Sequence, residues 1–139
     1  MEAAPAAPAR VSTSVLRVRY AETDMMGVVY YANYLVWFEV ARTDWLRDTG
    51  HTYAEMESAG LRLPVIEAHC EYQQSARYDD EIEVRTTARL ASPARLAFDY
   101  EVVRRVDGTP VARGYTVHVT VDRTGRPVRL PRRVKEFLA

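Results

Sequence analysis

The chain has 139 residues, with 19 Lys+Arg balanced by 19 Asp+Glu, 47% hydrophobic residues and a single cysteine. A chain of this length hides only roughly 68–70% of the surface its unfolded form exposes, enough for one core and too little for two independent ones. Zero formal net charge excludes the broad basic field that sequence-independent nucleic-acid binding needs, and Cys70 has no cysteine partner for a disulfide or a thiolate metal cluster.

Residues 1–13, MEAAPAAPARVST, are rich in Ala and Pro and lack an apolar signal core, so they are expected to be a disordered tail, with 14–139 forming one domain. No run of apolar residues is long enough to span a membrane, and the expected location is cytoplasmic. Lys135 is the only lysine; every other cation is an arginine, whose planar fork suits phosphates and carboxylates.

In chain order, Val15 to Tyr20 (VLRVRY) alternates as a half-buried strand and runs into the loop AETDMMG. Tyr34, Phe38, Ala41 and Trp45 then recur at helical spacing, with Asn33 as the expected N-cap and Gly50 as the residue that ends the helix. Glu39, Arg42, Thr43 and Arg47 fall on its solvent side. A short helical stretch near Tyr53–Ala59 and a strand over Leu63–Gln74 come next. In DEIEVRTTARL, Ile82, Val84, Thr86, Ala88 and Leu90 face one way. After a Ser92-Pro93 turn, Leu96, Phe98, Tyr100 and Val102 continue that row. Asp107-Gly108 makes a hairpin turn, and Tyr115, Val117, Val119 and Val121 are the next apolar row expected. Pro131 opens a short C-terminal helix. One helix on one face of an antiparallel sheet is an α+β domain. A single helix covers little of a long sheet, so pairing along an edge or over a face is expected.

The chemistry-bearing residues are few. His51, His69 and His118 lie in separate elements, so no metal site is expected. His69 and Cys70 are neighbours in a strand and point to opposite faces, which rules out a direct nucleophile–base pair. No G-x-S-x-G elbow is present. That leaves Asp24, in the loop ahead of the long helix. Alone, such an Asp is most simply a turn former that binds nearby backbone amides.

Its surroundings carry more. The segments TDMMGVVYYANY (23–34), FEVARTDWLRDTG behind it, and SARYDDEIEV (75–84) resemble the 4-hydroxybenzoyl-CoA thioesterase family of hotdog-fold proteins, and look closest to its bacterial YbgC-type acyl-CoA thioesterases. The family pattern D-x-x-G-V-V-[YFW]-[HY]-x-[NS]-Y is met by Asp24, Gly27, Val28, Val29, Tyr30, Tyr31, Asn33 and Tyr34. The resemblance runs from about Val15 to Phe137. It implies a hotdog fold, an antiparallel sheet wrapped around one long central helix, assembled as a homodimer or homotetramer.

It also implies roles. Asp24 matches the catalytic carboxylate, acting as nucleophile on the thioester carbon or as base on a water molecule. The backbone amide of Tyr31 matches the donor that polarises the thioester carbonyl. Tyr31 itself stands where many YbgC-type members carry His and the hydroxybenzoyl type carries Tyr. Gly27 lets the loop turn closely past the substrate, or is an ordinary turn glycine. Met25 and Met26 replace smaller residues and are expected, with Trp37 and Phe38, to wall the acyl pocket. Ser75 stands where Pro is frequent and is expected to affect only the bend. Glu39 and Arg42 match a helix E-x-A-R pattern and are read as structural. Coenzyme A would need cations for its phosphates; the weak candidates are Arg95, Arg126, Arg129, Arg132 and Arg133. No cofactor is implied. The substrate is an acyl-CoA, or the same acyl group on an acyl carrier protein; a non-catalytic acyl-CoA-binding module is the alternative from a different class. A hydratase would need a positioned acid/base His or paired acid that the sequence does not offer.

Overall fold

The computed structural model describes residues 10–50, 53–58, 60–136 and 138. Residues 1–9 of the expected tail, His51, Ala59 and the side chain of Arg133 lie outside them. The elements are β1 (Ser12–Arg17), α1 (Asn33–Asp48), α2 (Tyr53–Ser58), β2 (Val65–Tyr72), β3 (Glu81–Ser92), β4 (Arg95–Arg104), β5 (Pro110–Val119) and α3 (Arg132–Lys135). All five strands form one antiparallel sheet in the order β1-β3-β4-β5-β2, so β1 and β2 are its edges. With α1 laid across one face, this is the hotdog arrangement.

The stripe Tyr34, Phe38, Ala41 and Trp45 is buried as its spacing predicts, joined by Trp37 and Leu46. It packs on Ile82, Val84, Ala88, Leu96, Phe98, Tyr100 and Val102, the inward row of β3 and β4. Gly50, at φ 85°, takes the left-handed conformation that ends α1, as expected. Asn33 does not cap it: Asn33 is the first helical residue, Ala32 precedes it, and the Asn33 amide reaches away to the Glu22 carbonyl at 2.8 Å.

Two strands differ from the sequence expectation. β1 starts at Ser12, so Ser12 and Thr13, placed in the tail on composition, belong to the sheet. Its inward positions begin with two buried serines, whose hydroxyls donate to Asp48 and Asp44 of α1, each at 2.7 Å. In β5 the more apolar row does not face the helix. Ala112, Thr116 and His118 are buried, with Thr120 just beyond the strand, while Tyr115, Val117 and Val119 are partly exposed on the opposite face. Two of these buried polar groups are paired: Thr116 bonds the Tyr100 hydroxyl at 2.7 Å, and His118 meets Thr116 at 2.9 Å and the Leu63 carbonyl at 3.0 Å, whereas the Thr120 hydroxyl meets no partner among the described residues. Alternation shows that a strand has two faces; these partners decide which is inside.

Candidate active site

The loop between β1 and α1 is built around Asp24. The Gly27 N–H donates to the Asp24 carbonyl at 3.0 Å and the Asp24 N–H donates to the Val28 carbonyl at 2.9 Å, closing a tight turn. Asp24 Oδ1 accepts from the Met26 N–H at 2.9 Å and from the Val28 N–H at 3.4 Å. Gly27 sits at φ 78° with open space where a Cβ would stand, so the turn's left-handed backbone explains the glycine, not crowding. Val29 then ties the loop to the segment before β3 through Ala76, at 2.8 Å.

At the far end of the loop, the Tyr30 carbonyl accepts the Asn33 N–H at 2.9 Å. A trans peptide plane directs its N–H opposite to its C=O, so the Tyr31 N–H faces away from that bond. Among the described residues it meets no acceptor. It stands just ahead of the 16-residue α1, at the positive end of the helix dipole.

Asp24 and Tyr31 line one cavity of about 360 Å³, together with Val28, Val29, Tyr34 and Tyr72. Tyr72 comes from the edge strand β2, and its hydroxyl donates to the Tyr31 carbonyl at 3.1 Å. The Tyr72 ring meets Tyr34 edge-on at 5.2 Å and Tyr31 at 6.4 Å. Partial desolvation, followed by the neighbouring Cys70 thiol, pushes the Tyr72 hydroxyl up to about 12. Larger grooves lie beside Met56–Leu63 and on the outer sheet face, at about 610 and 480 Å³, but neither includes Asp24 or the Tyr31 amide.

The remaining predicted positions separate. Trp37 and Phe38, expected to wall the acyl pocket, are 2% and 0% exposed, pack in the core and do not line this cavity. Spacing alone cannot distinguish a wall from a core stripe. Met25 and Met26 are fully exposed and do not line the cavity. Arg129 and Arg132 share a surface groove with Lys135, and Arg132 pairs with Glu136 at 3.6 Å. Arg95, at the start of β4, and Arg126, in the turn after Asp122, are exposed and lie outside that groove. His69 stacks on Tyr115 while Cys70 turns to the other face, half-buried, so the two do not act together. No cluster of three or more His, Cys, Asp or Glu is placed to hold a metal among the described residues. No described helix is long and apolar enough to cross a membrane.

The residue that sequence reasoning missed is Glu22. Its side chain is almost wholly buried, its Oε1 accepts the Arg19 N–H and its Oε2 accepts the Trp37 indole N–H, both at 2.8 Å. A Glu two residues before an Asp looks like ordinary loop polarity; only the burial distinguishes it.

The family profile described as the thioesterase-like superfamily matches residues 18–138. The chain belongs to that superfamily. Among curated relatives, this thioesterase-superfamily protein is 34% identical over 123 residues to the acyl-CoA thioesterase YbgC of Haemophilus influenzae, covering 86% of this chain and 88% of that one. Among solved structures, it superposes on a 1,4-dihydroxy-2-naphthoyl-CoA thioesterase from Synechocystis with a TM-score of 0.87 and 27% identity, over 92% of this chain and 95% of the other. A DHNA-CoA thioesterase from Staphylococcus aureus matches with a TM-score of 0.83 and 35% identity, over 91% and 85% of the two chains. The hotdog fold and thioester-hydrolase membership implied by the 23–34 motif are both upheld.

Proposed function

We propose that this protein hydrolyses an acyl-CoA thioester, fatty or aromatic, to the free acid and CoA. One observation carries the reading: Asp24 and Tyr31, whose N–H meets no acceptor among the described residues, line the same cavity. The thioester carbonyl oxygen lies against the Tyr31 N–H, where negative charge builds as the carbon becomes tetrahedral. A fixed donor of this kind is worth about 2.7–4 kcal/mol in enzymes where it has been removed. Asp24 either takes a proton from the attacking water or attacks the carbon itself. In the second route the C–S bond breaks to leave a mixed anhydride, and water then regenerates the carboxylate. A thiolate needs no protonation to leave, since thiols have a pKa of about 8.5, so no histidine partner is required.

The names of the relatives support CoA as the carrier, and exposed Arg129 and Arg132 offer cations to its phosphates. The working unit is a homodimer or homotetramer in the cytoplasm. Supporting assembly, β2 is an open sheet edge exposed along nearly its whole length, and Leu35, Val36 and Val40 of α1 are exposed apolar residues.

The test is thiol release from short, long and aromatic acyl-CoAs, each compared with the matched acyl carrier protein thioester, by wild type and Asp24→Asn. Turnover of CoA substrates by wild type with loss in the variant is expected. Equal turnover by both proteins refutes the role of Asp24; turnover on carrier-protein substrates alone moves the reading to a carrier-protein thioesterase; no turnover with retained binding makes the protein an acyl-CoA-binding module.

A further inference from the structure

Glu22 is 5% exposed, although it lies only two residues before the half-exposed Asp24. Burying a carboxylate is unfavourable unless its oxygens are paired, and even a paired one is seldom more stabilising than an apolar side chain of the same size. Both oxygens here are engaged, by the Arg19 N–H before the loop and by the Trp37 indole in the second turn of α1. The exposed Arg19 guanidinium adds a longer contact at 3.5 Å. The backbone of the same residue is used as well: the Glu22 carbonyl accepts the Tyr30 N–H and the Asn33 side-chain amide, each at 2.8 Å.

These bonds span the loop. Asp24 is separated from Glu22 by Thr23 alone, and Tyr30 supplies the carbonyl half of the peptide whose N–H belongs to Tyr31. Trp37 and Asn33 both belong to α1. One buried residue therefore fixes the loop's entry, its exit and the first turns of the helix to one another. Two N–H donors face the two side-chain oxygens, so a carboxamide, which must present an NH2 group to one of them, cannot replace the carboxyl group without losing a bond.

We propose that Glu22 is a positioning residue of the thioester-cleaving centre, setting the span between the Asp24 carboxylate and the Tyr31 N–H. The inference rests on the proposed roles of those two groups. Glu22 touches no substrate; it acts through the loop and helix it joins. Displacements of about 1 Å in a reacting geometry can cost about a hundredfold in rate, so the effect belongs in kcat.

The experiment compares steady-state hydrolysis of one acyl-CoA by wild type, Glu22→Gln, Trp37→Phe, the double variant and Asp24→Asn, with hydrogen exchange by mass spectrometry on each. Glu22→Gln sets an amide donor against the Arg19 or Trp37 N–H. It is expected to lower kcat by about tenfold to a hundredfold, with KM within about threefold, and to speed exchange in 23–34 while leaving β4 and β5 unchanged. Trp37→Phe removes one of the same bonds, so the double variant should lose less than the product of the single losses. Unchanged kcat in Glu22→Gln overturns the proposal, as does a loss accompanied by faster exchange throughout the sheet, which marks general destabilisation. Wild-type turnover by Asp24→Asn would instead overturn the assignment of Asp24, so the two failures are read from different variants.

Discussion

Phe38 lies flat on Tyr100, with ring centroids 4.1 Å apart and planes 4° from parallel, and the edge of the same Phe38 ring closes over Gly114 of β5. A Cβ on Gly114 would come within 2.9 Å of that ring and would overlap the His69 carbonyl oxygen of β2. The first obstacle can rotate only by breaking the stack; the second is backbone. Gly114→Ala must therefore spread β5 from β2 or displace α1. Overpacking of this kind costs about 1–3 kcal/mol, and urea unfolding of the variant should show a loss at the upper end of that range. Since Tyr72 is carried on β2, thiol-release activity should fall with it. A variant as stable as wild type would mean that the sheet edge yields freely.

Substitution can separate the turn-holding bond of Asp24 from its proposed catalytic role. Its Oδ1 holds the Met26 N–H, and an Asn side chain keeps that acceptor while losing the charge. Asp24→Asn should thus melt within a degree or two of wild type but lose about 10²–10⁴-fold in kcat, the usual range for a missing acid–base group. Asp24→Ala removes the acceptor too, and should lose about 1 kcal/mol of stability in addition. Calorimetry beside the thiol-release assay checks both; equal stability of Asn and Ala variants would show that the turn does not depend on the side chain.

What the sequence made legible follows from what periodicity encodes. The α1 stripe and the β3 row read correctly because their inward residues are mostly apolar, although α1 also carries exposed Leu35, Val36 and Val40 and the inward β3 row includes Thr86. The same rule misplaced β1 and β5, where inward Ser12, Ser14, Thr116 and His118 are satisfied by partners distant in sequence. The Asp24–Gly27 turn was readable as local chemistry. Glu22 was not, because its value lies in burial and in an indole fifteen residues away. Trp37 and Phe38 were read as pocket walls since a large aromatic on a helix looks the same whether a ligand or the sheet covers it.

The hydrogen bond from Tyr72 to the Tyr31 carbonyl fixes the peptide on the helix side of Tyr31. Removing it with Tyr72→Phe forfeits about 0.5–1.5 kcal/mol, so kcat/KM should fall by roughly twofold to tenfold. With the hydroxyl pushed up to about 12, Tyr72 stays a donor through the usual assay range, and the pH–rate profiles of wild type and variant should share the same shape up to pH 10. An alkaline limb present only in wild type would show that Tyr72 ionises earlier.

His118 supplies the clearest pH dependence of stability. It is fully buried, and burial lowers its pKa from 6.5 to about 4, against a partial opposing effect of its bond to the Leu63 carbonyl and with the Arg42 charge adding to the decrease. The unfolded chain takes up a proton as the pH falls through 6.5, whereas the folded protein does so only near 4. Between those values the unfolded state binds more protons, so stability falls as the pH falls. Above 6.5 the effect is absent, and below 4 it is complete at about 3 kcal/mol, as a shift of this size implies. Urea unfolding of wild type and His118→Gln between pH 4 and 7.5 measures it. The variant starts less stable at neutral pH, having an imperfect replacement between Thr116 and Leu63, but its curve should lack the His118 contribution, so the gap between the two proteins should close as the pH drops. Parallel curves would show that His118 titrates alike in both states.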